Sequence, residues 1–178
     1  MVNKIKNTFK SRLISYYRKK VEKSEKPYQK VARMIANVSP DVIFFGKPEL
    51  TQKTIIKEHS VINGLHVMGT GYCEIGKYCH IAEGCCIITA NHNYKGNRIP
   101  YDENDVVKKV IIEDFVWIGA NVTILPGVTI GGGAIVQAGS IIREDVPKYC
   151  IVGNETAHIF SKRDAIKFEL LKENREFF

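Results

Sequence analysis

Residues 116–142 read VWIGANVTILPGVTIGGGAIVQAGSII. Ile118, Ile124, Ile130, Val136 and Ile142 stand six apart in this stretch. Two residues ahead of each sits a small or β-branched residue: Val116, Val122, Val128, Ala134 and Ser140. A helix repeats near 3.6 residues and a plain strand near 2, so a period of six leaves no lasting stripe on either. It suits a short strand followed by a sharp turn, repeated. Branched residues favour the extended backbone, and Gly and Asn near the bends tolerate tight geometry.

The same count extends upstream through Ile112 to Val106. Ile75, Ile81 and Ile87 lead three more units, with Cys73, Cys79 and Cys85 in the second position. Ile56, Ile62 and Met68 lead an earlier three, in a phase shifted by one residue. Three units close a triangle, and successive coils stack at about 4.8 Å, the spacing of paired strands. Lead aliphatics then point inward and form columns, and no coil can bury its inner face alone. The thirteen units predict an all-β chain, a parallel β-helix of about four triangular coils with one extruded loop. The expected organisation is a basic helical arm over 1–48, the β-helix over 49–160 and a C-terminal helix over 161–178. The terminal helices rest on Ile5, Phe9, Leu13 and Tyr17 at one end and Ile166, Leu170 and Leu171 at the other, each set at helical spacing.

The count breaks once. After Ile87 the next lead is due at residue 93, but the rhythm resumes at Val106. A stacked coil cannot absorb the surplus, so the polar segment 91–105, NHNYKGNRIPYDEND, leaves it as a loop. Long loops on a rigid repeat often carry function. His92 stands at the root of this one. On its residues alone it reads equally as a turn histidine bonded to backbone and as a proton acceptor. An imidazole titrates near 6.5 and is largely neutral at pH 7, which suits it to draw a proton from a hydroxyl. Tyr94, Arg98, Tyr101 and Asp102 are the loop's candidates for acceptor contacts.

Composition narrows the class. The chain has 178 residues, 44% hydrophobic and 25% charged, with no apolar run near the roughly 20 residues that span a bilayer. Lysines interrupt the first 30 residues throughout, so no signal-peptide core is present and a cytoplasmic protein is expected. The five cysteines lack zinc spacing, and Cys73, Cys79 and Cys85 repeat with the coil, which makes these packing residues. No metal site is expected. Residues 1–36 hold eleven Lys and Arg against Glu22 and Glu25, whereas the whole chain is only +7. The basic character therefore belongs to the arm. It reads either as a solvated helix whose apolar side rests on the first coil or a neighbour, or as an amphipathic helix drawn to anionic lipid at the inner face of a membrane. It carries no nucleic-acid motif.

The repeat from Val116 to Ile142, with NHNY upstream, resembles the hexapeptide-repeat acyltransferases, whose fold is a left-handed parallel β-helix. The likeness covers roughly residues 50–160 and points to the branch that acetylates sugars and related small molecules. It implies acetyl-CoA as co-substrate, a homotrimer with sites between subunits, and His92 as general base. By the same resemblance Asn91 holds the base or an acceptor hydroxyl, and Trp117 lines the site near acceptor or thioester. Ala120, Ala138 and Gly139 match the small residues that line the cofactor. The chain departs from the family after the last coil, where GNETAHIFSKR stands in place of the usual GNPA and a base. Lys162 and Arg163 then supply the phosphate contacts, with Arg143 in a position more often held by a hydroxyl residue. The expected reaction is transfer of acetyl from acetyl-CoA to a sugar or glycan hydroxyl. The competing readings are N-acetylation of an amino sugar, antibiotic acetylation, and a non-catalytic β-helix scaffold.

Overall fold

A computed structural model describes residues 25–154 and Leu170. The expected helix at Ile5–Tyr17, most of that over 161–178, and Lys162 and Arg163 lie outside the described residues. Three ladders of parallel strands wrap one core. The first face stacks Asn37–Val38, Thr54–Ile56, Cys73–Ile75, Val110–Ile112 and Thr129–Ile130. The second stacks Ile43–Phe45, Val61–Asn63, His80–Ile81, Trp117–Ile118, Ile135–Val136 and Ile151–Val152. The third stacks His66–Met68, Cys86–Ile88, Thr123–Ile124 and Ile141–Ile142.

The six strands of the second face make about six turns, against the four expected. The repeat count began at Ile56, although Val38 and Phe44 stand on the same six-residue beat and pair with Ile56 and Ile62 one coil on; at the far end Val152 packs inward off that beat. Two leads also change. Met68 is exposed and Val67 is buried in its place, because one residue fewer separates it from Ile62 and Leu65 fills the second position. Val106 is 43% exposed and belongs to the extruded loop, and the inward count resumes at Val110 and Ile112. Otherwise the columns are as the period demands. Ile75, Ile81, Ile87, Ile112, Ile118, Ile124, Ile130 and Val136 are all buried, and so are Cys73, Cys79, Cys85, Val116, Val122 and Ala134 between them. Burial pushes the Cys73 thiol up to about 12 and the Cys79 thiol up to about 11, so both stay protonated and act as packing groups.

Tight corners require glycine where chain meets chain. A Cβ on Gly119 would lie 2.6 Å from the Ala138 backbone nitrogen on the next coil. Gly119→Val is expected to cost about 1–3 kcal/mol by overpacking, read as a lowered urea midpoint.

Helix α1, Pro27–Ile35, sits at the open end of the second face. Pro27 occupies its first turn, where no amide is needed, and Gln29 Oε1 accepts the Lys26 backbone N–H at 2.9 Å. Gln29 Nε2 donates to the carbonyls of Phe44 at 3.3 Å and Gly46 at 2.9 Å. The edge strand Ile43–Phe45 thereby finds polar partners that its missing neighbour cannot give. Among the described residues no helix is long and apolar enough to cross a membrane.

Candidate functional site

The loop leaves the column as a hairpin. Ala90–His92 pairs antiparallel with Asp105–Val107, and the register sets His92 opposite Asp105. Among the described residues the hairpin pairs with no other strand. Its tip is tied by Asp102. That carboxylate accepts Asn104 N–H at 2.9 Å and Asn93 Nδ2–H at 3.1 Å, and its own N–H donates to Asn93 O at 3.2 Å. The Asn104 amide is the leading cause that holds the Asp102 carboxyl below the usual range. A Cβ on Gly96 would collide with it, so glycine is required there.

His92 is thus mounted on a two-stranded stalk. Its Nδ1 faces Asp105 Oδ1 at 3.2 Å, and the Tyr101 ring stacks on it at 3.9 Å between centroids, tilted by 10°. An Nδ1–H donated to the carboxylate leaves Nε2 with its lone pair free. The imidazole is 61% exposed, open to an incoming hydroxyl. Beside it opens a cleft of about 310 Å³, lined by Asn91, His92, Asn93, Tyr94, Lys95, Val106, Lys108 and Pro126. Asp105→Asn removes the acceptor that orients the ring. It is expected to lower turnover about tenfold or more with a small effect on melting temperature, as checked by steady-state kinetics.

The other predicted residues are distributed as follows. Asn91 and Tyr94 line the His92 cleft, and Tyr101 packs on the ring. Asp102 serves the loop's own backbone, and Arg98 pairs with Glu103 at 3.6 Å. Trp117 stands on the second face, 57% exposed, in register between His80 and Ile135. Ala120 and Gly139 meet at the corner beyond that face, where Gly139 N–H donates to Ala120 O at 2.8 Å. At Gly139 an added Cβ would touch nothing, so the surface beside exposed Ala138 is open to close approach. Arg143 is exposed and follows Ile142 on the third face, at the edge that also carries Pro126 and, two strands back, the hairpin. One chain therefore gathers the histidine side of the predicted site but leaves Trp117 and the alanines on another face. Asp105 is the residue that sequence reading missed. Its only signal is the polar DEND at the loop's far foot, facing NHN at the near one.

A larger cleft of about 580 Å³ lies along the first face, lined in part by Lys57, Glu74, Glu113, Asp114, Phe115 and Tyr149. It holds no histidine, and Glu113 is already bound to Gly132 N–H and Lys148. Among the described residues no three His, Cys, Asp or Glu side chains converge on a point that could hold a metal.

The pattern that defines the bacterial transferase hexapeptide, six repeats long, matches residues 109–144. The match falls on the middle and later coils of the column. A Lysinibacillus sphaericus protein named for macrolide acetyl transfer is 37% identical to it over 106 residues, covering 50% of this chain and 59% of its own. WbbJ of Escherichia coli (strain K12), named for O-acetyl transfer in lipopolysaccharide biosynthesis, is 32% identical over 106 residues, 55% of this chain and 54% of its own. The chain thus spans little more than half the length of these relatives. Its fold is that of the maltose O-acetyltransferase of Clostridium difficile 630, with a TM-score of 0.63 at 22% identity over 83% of this chain and 84% of that one.

Proposed function

We propose that this hexapeptide-repeat protein transfers an acetyl group from acetyl-CoA to a hydroxyl of a sugar or glycan, with His92 as general base. The observation that carries the reading is the His92–Asp105 pair, an imidazole oriented through Nδ1 with Nε2 open to the cleft. Nε2 takes the hydroxyl proton as the oxygen attacks the thioester carbonyl. The tetrahedral intermediate then expels the thiolate, which recovers that proton from the imidazolium. Acetyl passes from sulfur to oxygen directly, with no acyl-enzyme. The relatives named for acetyl transfer support the reaction class, and the one named for lipopolysaccharide O-acetylation supports the acceptor class.

The distribution of the predicted residues favours a homotrimer with its sites between subunits. Trp117, Ala120, Ala138 and Gly139 cannot reach His92 along one face, but a neighbour can present them. The outward ladder around Trp117 runs Ile43, Val61, His80, Trp117, Ile135 and Ile151, a mostly apolar strip suited to a neighbouring copy. Thiol release from acetyl-CoA, measured against neutral sugars, amino sugars and macrolides, tests the function. Release with a neutral sugar supports it, and release with an amino sugar alone moves the acceptor to nitrogen. No release and no coenzyme binding would favour a scaffold.

A further inference from the structure

Helix α1 turns Gln29, Ala32 and Arg33 to the protein and its larger apolar side chains outward. Gln29, Ala32 and Ala36 are buried. Arg33 also reaches inward, donating to Ser39 O at 3.2 Å and to Val42 O, pairing with Glu25 and lying over the Phe44 ring. The reason is the edge strand beneath, whose carbonyls need donors. The cost is that Val31, Met34 and Ile35 are left on one outer arc, exposed by 51%, 85% and 44%. Exposed Lys26 and Lys30 flank this arc.

We propose that the outer face of α1 docks onto an anionic lipid bilayer, with Val31, Met34 and Ile35 entering the headgroup boundary and the lysines meeting the phosphates. Charge selects this occupant. Eleven basic residues and two acidic ones precede Asn37, while the whole chain is +7, so the remainder is net negative and only this end is attracted. A second copy packed symmetrically on the same face would bring two basic arms together, and the chain's own residues 1–24 would add like charge to Lys26, Lys30 and Arg33. An apolar arc bordered by lysines is the composition that binds a membrane interface.

The test uses the full chain and phosphatidylcholine vesicles with or without about one-third phosphatidylglycerol, scored by flotation. Neither thioester nor acceptor is present, so the result is independent of the acetyl-transfer reading. Anionic vesicles are expected to bind at least about tenfold more strongly than neutral ones, and about 1 M salt should release the protein. The double variant Val31→Glu, Met34→Glu is expected to lose about tenfold or more of that binding, with unchanged melting temperature and unchanged mass in solution. Four results would overturn the proposal. They are no binding by the wild type, equal binding by the variant, a change in the variant's oligomeric mass, and a melting temperature lowered by several degrees. The last two would mean that another copy or the chain itself covers the face.

Discussion

Alanine at His92 is expected to lower turnover by about 10²–10⁴-fold, while affinity for coenzyme A stays within about twofold. The imidazole is largely exposed, on a hairpin whose strands pair only with each other among the described residues, so its loss leaves the core untouched and the melting temperature should hold. The ring's contacts are Asp105 at Nδ1 and Tyr101 on its face, neither of which can take the acceptor's proton at Nε2. The measurement is kcat by thiol release alongside coenzyme binding by calorimetry. Undiminished turnover would sink the base assignment, and a proportionate loss of coenzyme affinity would recast His92 as a binding residue.

Alanine at Ile118 is expected to destabilise the protein by about 2–5 kcal/mol. Ile118 is wholly buried and lies mid-column, paired with Ile81 on one side and Val136 on the other. Each coil touches only its neighbours, so a cavity here weakens two interfaces in a stack that has no other route around it. Met68→Ala is the control, because Met68 is 44% exposed and its loss should cost less than about 0.5 kcal/mol. Urea midpoints for both, with m-values unchanged, check the pair. Equal costs would contradict the inward and outward assignment of the two positions.

The period of six was legible because every lead position in the middle of the column is aliphatic, and burial follows it from Ile75 through Val136. The count of coils was not, because the end turns carry fewer constraints. Val38 and Phe44 keep the spacing but fall within the segment read as a basic arm, and Val152 pairs off the beat in a bare two-residue strand. The loop and its histidine were legible as a break in rhythm. Asp105 was not, since its place opposite His92 depends on an antiparallel register closed across the whole loop. Val106 misled for a related reason: an apolar residue on the hairpin fell on the beat by coincidence of loop length. The inverted polarity of α1 was hidden too, because it answers to carbonyls on a strand that the repeat count had not recognised.

The hairpin stands on two adjacent feet, Ala90 and Val107, and its tip is held by Asn93, Asp102 and Asn104 from within. Its length and chemistry are therefore uncoupled from the load that folding places on the prism. On the proposed reading, acceptor preference can drift, or be exchanged by grafting residues 94–101 from a related protein, while the thermal and chemical resistance of the whole stays where the stacked isoleucines set it.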